Sequence, residues 1–157
     1  MMTRIDKPLP PFNKHLGFEI EAWQEGHVVI RADVGPEHCN HSGIAHGGFI
    51  ATLLDAATAL PGTYCDSENT VRRALTLSLS ISFMRQAQTS RLKAVGRLTA
   101  SGRKIYYGAA DVFDGNKNLI ASGQGVFRYR TGSDTVQGQP ASTDHSSVGH
   151  PLSKNGK

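Results

Sequence analysis

The clearest hydrophobic pattern in the chain is an alternation between residues 75 and 83. Apolar and hydroxyl side chains follow one another in the order Leu75, Thr76, Leu77, Ser78, Leu79, Ser80, Ile81, Ser82, Phe83. A period of two residues predicts a β-strand with one apolar face. Further strands are predicted over residues 18–24, 27–34, 91–100, 104–113 and 119–130, most of them joined by short polar turns.

The longest apolar stretch has the spacing of a helix instead. Between Phe49 and Leu60 the apolar residues recur at positions 49, 50, 53, 54, 57 and 60, and Pro61-Gly62 follows. This stripe predicts a helix buried in the core. At about 100° per residue, the one acid of this helix, Asp55, lies away from the stripe. Its neighbours there, Thr58 among them, are small, so another group can approach it closely.

The order of these elements predicts an α+β fold. An antiparallel sheet curled around the single helix would cover the apolar surface of that helix. Such a sheet has free edges, so we expect a homo-oligomer, either a dimer or a dimer of dimers. At 157 residues there is room for one domain, predicted over residues 12–130. Residues 1–11 are predicted to form an irregular arm, and the polar residues 131–157 a disordered tail.

Positive charge is concentrated in the second half of the predicted domain. Residues 1–70 carry 4 Lys or Arg and 9 Asp or Glu, residues 71–130 carry 11 and 2, and the whole chain has a formal charge of +4. A basic sheet favours a phosphate-bearing partner, either nucleic acid or a nucleotide. Solvated outer faces of strands are the alternative. No nucleic-acid-binding motif accompanies these charges, so we expect no nucleic-acid partner.

The sequence also predicts where the protein resides. It shows neither a signal-peptide pattern nor an apolar stretch of membrane-spanning length, so we expect a soluble protein with no membrane partner. The two cysteines, Cys39 and Cys65, do not make a disulfide framework. Reduced thiols in the cytoplasm are the simpler interpretation.

The start of the predicted helix carries candidate chemistry. Gly47 and Gly48 follow His46, and their backbone N–H groups are donors at the positive end of a helix dipole, with no bulky side chains over them. Such donors can stabilise an oxyanion, and Asp55 supplies a carboxylate in the same helix. Taken alone, Asp55 is equally a solvent-exposed acid, Asn40 a loop or capping residue, and His46 a residue bonded to the backbone where the helix begins.

This region resembles a known family. Asn40, His46-Gly47-Gly48 and Asp55, at these spacings and followed by the alternating strand, are similar to the motif of hotdog-fold acyl-CoA thioesterases, in particular the branch associated with phenylacetate degradation. The resemblance covers about residues 12–130. It implies an antiparallel sheet of about six strands wrapped around one long central helix. It also implies an enzyme that hydrolyses an acyl-CoA thioester to a free carboxylic acid and coenzyme A.

The resemblance implies roles for individual residues. Asp55 matches the catalytic carboxylate, which is a general base toward water or a nucleophile toward the thioester carbon, and the Gly47 N–H matches the donor to the thioester oxygen. Asn40 and His46 match the polar pair that orients the substrate or the water. Thr76 matches a hydroxyl position near the acid. In the family the site lies across the dimer interface, with the acid of one subunit facing the glycine donor of the other. No cofactor is implied, because the coenzyme A thioester is the substrate.

Basic residues of the late strands are the candidates for binding the phosphates of coenzyme A. The sequence does not say which of them face the ligand. Together with Gly48, these candidate substrate-binding residues are Arg97, Arg103, Lys104, Arg128 and Arg130.

Two other functions stay open. The run from Gly43 to Gly47 also resembles hotdog enoyl-CoA hydratases, but Asp33 and His38 do not reproduce their acid–base pair well. The second alternative is a domain that binds acyl-CoA without turning it over. For the thioesterase and for both alternatives, the sequence does not specify whether the acyl group is aryl or aliphatic.

A cluster of possible metal ligands gives a further alternative. It comprises His38, Cys39, His41, His46 and Cys65. Their spacing matches no zinc-binding pattern, and no third group is identified that would orient Cys39 as a nucleophile. We therefore expect no metal.

Overall fold

The strands predicted from the hydrophobic pattern form one antiparallel sheet. In the computed structural model, which describes residues 9–141, the strands are β1 (Phe18–Gln24), β2 (His27–Asp33), β3 (Thr70–Val71), β4 (Ala74–Phe83), β5 (Arg91–Ser101), β6 (Ile105–Asp114), β7 (Leu119–Tyr129) and β8 (Gln139–Pro140). The sheet has six strands in the order β1-β2-β5-β6-β7-β4, and β3 pairs separately with β8. Strands β1 and β4 are therefore its edges.

One long helix packs against a single face of this sheet. A short helix, α1 (Pro11–His15), precedes β1, and the long helix α2 (Gly47–Ala59) contacts strands β2, β4, β5, β6 and β7. Pro61 lies in the tight turn that ends α2. The buried residues of α2 are Phe49, Ile50, Leu53, Leu54, Ala56, Ala57 and Thr58. The predicted α+β fold, an antiparallel sheet wrapped around one long helix, is confirmed.

Helix α2 lies so close to the sheet that two strand positions have no room for a side chain. A Cβ atom on Gly96 of β5 would lie 1.8 Å from the carbonyl oxygen of Ala57, and one on Gly108 of β6 would lie 2.0 Å from that of Thr58. Both distances are far inside van der Waals contact. Only glycine allows this approach, so the last turn of α2 rests directly on the backbone of two central strands.

Two tyrosines from the sheet hold the end of the helix. The Tyr106 hydroxyl donates a hydrogen bond of 2.9 Å to the Ala59 carbonyl oxygen, and the Tyr129 hydroxyl donates one of 2.7 Å to the Gly62 carbonyl oxygen. Burial raises the pKa of the Tyr106 phenol above its usual value, so Tyr106 remains a neutral donor. These bonds satisfy carbonyl groups that the helix end leaves unpaired.

The edge strand β4 departs from the single apolar face that its alternation predicts. Thr76 pairs with Phe127 and Ser78 pairs with Val126, so Leu77 is an extra residue that bulges out of the ladder. The bulge reverses the alternation, and Thr76 faces α2. Leu75 and Leu77 are 53% and 55% exposed. The prediction of one apolar face is wrong for this half of the strand, because a bulge shifts each side chain before it to the opposite face.

The ordered domain continues beyond residue 130, where we predicted a disordered tail to begin. Ser133 is fully buried, and its hydroxyl oxygen accepts hydrogen bonds from the Arg73 N–H and the Gln139 side-chain amide, both of 2.9 Å. Strand β8 then pairs with β3. The composition misled the prediction because hydrogen bonds, rather than apolar burial, hold this segment.

The remaining parts of the predicted arm and tail, residues 1–8 and 142–157, lie outside the described residues. Across residues 9–141, no helix combines the length and the apolar character needed to span a bilayer.

Replacing Gly96 by alanine is expected to lower the free energy of unfolding by about 1–3 kcal/mol, because the added methyl group displaces the helix from the sheet. Urea unfolding measures this change. Gly102→Ala is the matched control, since its Cβ atom would lie 3.4 Å from the nearest atom, in an exposed turn. Equal stabilities of the two variants would contradict the close approach.

Candidate active site

Asp55 lies in α2 beside the edge strand β4. Its side chain is half-buried, and its Oδ1 atom accepts a hydrogen bond of 2.9 Å from the Thr76 hydroxyl. The bulge at Leu77 is the feature that turns Thr76 toward the helix. Within residues 9–141, the second oxygen of Asp55, Oδ2, accepts no hydrogen bond. The contact with Thr76 therefore fixes the carboxylate and leaves one oxygen available.

Thr58 lies on a different face of the helix from the one that we predicted. It is fully buried, and its hydroxyl donates to the carbonyl oxygens of Leu54 and Asp55 at 2.8 and 3.1 Å. A side chain that is bonded back into its own helix offers no donor to a substrate. Of the hydroxyl groups of Thr58 and Thr76, only that of Thr76 bonds to the Asp55 carboxylate.

The start of α2 is arranged around His46. Its Nδ1 atom accepts a hydrogen bond of 2.9 Å from the Gly48 N–H, which makes His46 the N-cap of the helix. The Gly48 N–H is therefore engaged within the chain. Gly47 is exposed, and its N–H meets no acceptor among residues 9–141. Gly47 thus provides the open backbone donor of this helix start.

Asn40 shapes the loop that leads to the helix. Its Oδ1 atom accepts hydrogen bonds from the Ser42 N–H at 2.9 Å and the Ile44 N–H at 3.4 Å. Gly43, between them, has a φ of 74°, a conformation that favours glycine. In a single chain Asn40 therefore has the loop role that the sequence left open, and the oxygen of its side chain is committed to the backbone.

A cleft of about 270 Å³ opens beside Gly47. Two of its lining residues, Phe83 and Met84, are 55% and 48% exposed although they are large and apolar. The other apolar lining residues are Ile44, Ala45, Ile50 and Ala87. The open backbone donor is thus adjacent to an apolar surface that could receive the hydrocarbon part of a substrate.

One wall of this cleft is residues 84–87, which follow β4. Gln88, the residue after this wall, is held by Asp114 at the end of β6. The Asp114 carboxylate accepts a hydrogen bond of 3.1 Å from the Gln88 N–H. Burial acts to raise the pKa of Asp114, but this bond and those from Asn118 and Asn116 hold the pKa below its usual range. Asp114 and Gln88 are 26 positions apart, so the contact depends on the fold.

Asp55 and Gly47 of one chain cannot act on the same carbonyl group. Asp55 follows Gly47 by eight positions in α2, which at 1.5 Å per residue is about 12 Å. A catalytic carboxylate and an oxyanion donor must both lie about 3 Å from the reacting atoms, or be joined to them by one water. A complete site built from these two groups therefore requires a second copy of the chain.

Two members of the histidine and cysteine cluster, His38 and Cys39, form contacts within their loop. His38 Nδ1 accepts a hydrogen bond of 2.9 Å from the Gly35 N–H, and its ring stacks on Phe49 with centroids 4.3 Å apart. The Cys39 thiol donates to the Gly35 carbonyl oxygen at 3.4 Å. In the part of the chain that the structure describes, no three His, Cys, Asp or Glu side chains converge where a metal ion could bind.

The structure divides the basic candidates into two groups. The Arg97 guanidinium donates to Asp111 Oδ2 at 3.1 Å, so an acid already compensates its charge. Arg103, Lys104, Arg128 and Arg130 are exposed. Only this second group lacks an acidic partner within residues 9–141.

Comparison with known proteins assigns the family. A family model described as the thioesterase superfamily matches residues 42–121, about half of the chain, and this range includes Gly47, Asp55 and Thr76. The chain belongs to the thioesterase superfamily.

Individual relatives and solved structures align with most of the described residues. The medium/long-chain acyl-CoA thioesterase YigI of Salmonella typhimurium is 26% identical over 130 residues, which cover 74% of this chain and 84% of the relative. The PaaI protein of Escherichia coli, from the phenylacetic acid degradation operon, aligns with a TM-score of 0.69 and 22% identity over 79% of this chain and 87% of that chain. The thioesterase HI1161 of Haemophilus influenzae aligns with a TM-score of 0.68 and 21% identity over 76% and 82%. The two structures confirm the hotdog architecture.

Replacing His46 by alanine removes the N-cap of α2 and is expected to lower the free energy of unfolding by about 1 kcal/mol. His46→Asn retains a side-chain oxygen that can accept the Gly48 N–H, so its stability should stay close to that of the original protein. Urea unfolding of both variants measures the contribution of the cap to stability. Equal destabilisation by the two replacements would contradict the capping role.

Proposed function

We propose that this member of the thioesterase superfamily hydrolyses an acyl-CoA thioester to a free carboxylic acid and coenzyme A. The observation that carries the proposal is the carboxylate of Asp55, held by the Thr76 hydroxyl at 2.9 Å. The same helix begins with the open Gly47 N–H beside an apolar cleft. The name of YigI, a medium/long-chain acyl-CoA thioesterase, supports the same substrate class.

The catalytic unit in this proposal is a homodimer formed through β4. Leu77, Phe83 and Met84 lie on or directly after this edge strand and are 55%, 55% and 48% exposed. A Cβ atom on Gly47 would lie 3.8 Å from the Phe83 ring, whereas Asp55 contacts Thr76 near the other end of the strand. Antiparallel pairing of two β4 strands brings the Phe83 end of one copy toward the Thr76 end of the other. Each Asp55 would then face the Gly47 of its partner, and a two-fold axis gives two equivalent sites.

The chemistry follows from the two groups. As a general base, Asp55 takes a proton from water while the water oxygen attacks the thioester carbon. As a nucleophile, its Oδ2 atom attacks that carbon directly, and water then hydrolyses the resulting anhydride. In both routes the carbonyl oxygen becomes negatively charged and the C–S bond breaks. The leaving thiolate takes up the proton that Asp55 removed from water in the first route, or a proton of the water that hydrolyses the anhydride in the second, and becomes the coenzyme A thiol. One N–H donor to this oxyanion contributes about 3–4 kcal/mol to the barrier reduction.

We propose that His46 assists at the same carbonyl group. Because its Nδ1 atom accepts the Gly48 N–H at 2.9 Å, the neutral imidazole carries its proton on Nε2. That N–H is the donor we propose for the substrate or the attacking water. Water and the thioester are the reactants in this scheme, so it requires no cofactor and no metal.

The hydratase alternative receives less support from the side chains that it would use. Asp33 forms an ion pair with Arg91 at 3.0 Å, and His38 accepts a backbone bond from Gly35 at 2.9 Å. Both residues are therefore engaged in separate contacts. The geometry around Asp55 and Gly47 favours thioester hydrolysis.

Asp55→Asn is expected to lower turnover by about 10²–10⁴-fold, because an amide is neither a base nor a nucleophile here. Free thiol release from a panel of aromatic and aliphatic acyl-CoAs measures the loss. Thr76→Val should cost about tenfold by releasing the carboxylate, while Thr76→Ser keeps the hydroxyl and should stay near the original rate.

Circular dichroism and size-exclusion chromatography serve as controls for the fold and the oligomeric state of these variants. Full activity of Asp55→Asn would remove Asp55 from the mechanism. Hydration of a crotonyl-type substrate without thiol release would support the hydratase. Binding of acyl-CoA without turnover by the original protein would support a binding domain.

A further inference from the structure

His38 is a largely buried histidine to which the proposed mechanism gives no role. It lies between β2 and α2, at the end of a single helical turn over Pro36–His38, and its side chain is 9% exposed. Its Nδ1 atom accepts the Gly35 N–H at 2.9 Å, and its ring stacks on Phe49 with the two ring planes 25° apart. His38 therefore joins the start of this loop to the first turn of α2.

The rest of the loop folds back on itself and returns to His38. Two backbone hydrogen bonds of 2.8 Å cross it, from the Asn40 N–H to the Ile44 carbonyl oxygen and from the His46 N–H to the His38 carbonyl oxygen. We call residues 38–46 the entry hairpin. His38 and His46 form its base, so the position of His38 determines where the N-cap of α2 lies.

The base of the entry hairpin fixes the peptide group that carries the open donor. The Gly47 N–H and the His46 carbonyl belong to one planar trans peptide, so they point in opposite directions. This carbonyl oxygen accepts the Phe49 N–H at 3.0 Å and the Ile50 N–H at 3.3 Å, so it points into the helix. The Gly47 N–H consequently points out of the helix start. Its direction depends on His46, which the helix holds on one side and His38 on the other.

The imidazole of His38 combines two contacts. A Glu or Gln at the third position of a helical turn commonly accepts the N–H of the residue before the turn, and here Nδ1 of His38 has that role for Gly35. A neutral imidazole that accepts at Nδ1 carries its proton on Nε2, which lies 3.8 Å from Glu37 Oε1. The ring also covers Phe49, with centroids 4.3 Å apart. Loss of the acceptor would leave the Gly35 N–H without this partner.

We propose that His38 is a positioning residue for the Gly47 oxyanion donor and acts through its Nδ1 bond to Gly35. This inference rests on the proposed thioesterase function. His38 acts through the entry hairpin and His46, while the reacting groups remain Asp55 and the Gly47 N–H. A donor that is already oriented needs no reorganisation when negative charge develops on the carbonyl oxygen, and this is the source of its effect on the rate.

Packing against Phe49 is the competing explanation for the position of His38. Phe49 is 6% exposed and also makes an edge-to-face contact with Phe18, with centroids 5.4 Å apart. A phenyl ring at position 38 would keep the stack and lose the acceptor, whereas glutamine would keep an acceptor and lose the stack. The two replacements therefore separate the hydrogen bond from the packing.

The kinetic test compares these two variants on the acyl-CoA that gives the fastest thiol release. His38→Phe is expected to lower kcat about tenfold and to leave KM within about twofold, because the donor acts on the transition state rather than on substrate binding. His38→Gln should keep kcat within about threefold of the original value. His41→Ala, which replaces an exposed histidine of the same hairpin, is the matched control and should leave kcat unchanged.

Hydrogen exchange of the His46 N–H, followed by NMR, gives a readout that needs no turnover. In His38→Phe this exchange should be at least about tenfold faster, because the bond to the carbonyl oxygen of residue 38 opens more often. In His38→Gln it should stay near the original rate. This pattern, with no thioester hydrolysed by the original protein, would support the positioning of the entry hairpin by residue 38 and reject the thioesterase proposal.

Three outcomes would overturn the role of His38. Unchanged kcat in His38→Phe would mean that packing alone holds the entry hairpin. Equal loss of kcat in His38→Phe and His38→Gln, or a loss confined to KM, would mean that the imidazole contacts the substrate itself. The third outcome needs no variant and applies even if His38→Phe does not fold: ¹⁵N NMR of the original protein should show Nε2 as the protonated nitrogen of the neutral ring, and a proton on Nδ1 instead would contradict the bond to Gly35.

Discussion

The contact between the last turn of α2 and the backbone of the sheet is the constraint on which the candidate site depends. Carbonyl oxygens of the helix occupy the space that side chains at Gly96 and Gly108 would fill. Hydrogen bonds from Tyr106 and Tyr129 fix the same end of the helix. Because a helix is a rigid element, fixing its last turn also fixes where its acid and its first N–H lie relative to the edge strand.

The edge strand β4 provides the contacts that α2 needs to form a catalytic unit. The bulge at Leu77 turns Thr76 inward to hold Asp55 and leaves large apolar side chains on the free edge. The acid and the donor of one helix are too far apart to act on the same carbonyl group. A two-fold axis through β4 would bring the acid of each copy to the donor of the other and so form two equivalent sites. Stability, association and chemistry would then depend on the same strand.

The sequence was sufficient to predict the elements that have a strong local period. The strands, the buried helix and the antiparallel sheet around it follow from residue patterns and are confirmed. The bulge at Leu77 was not predictable, because an unbroken alternation contains no signal for it. The sequence did not predict that residues 131–141 are ordered, because hydrogen bonds to Ser133 hold them rather than apolar burial. The pairing of Arg97 with Asp111, and hence its separation from the other basic candidates, required the register of β5 and β6.

Mixed dimers of two inactive variants test most directly whether one site uses Asp55 of one copy and the Gly47 N–H of the other. Gly47→Pro removes this donor at a helix position that favours proline. His46 already has the extended conformation that precedes proline, with φ −63° and ψ 138°. Asp55→Asn and Gly47→Pro should each be inactive alone. Refolded together, they should recover about a quarter of the original thiol release, because half of the dimers are mixed and each has one intact site. No recovery, with mixed dimers present, would contradict a site shared between copies.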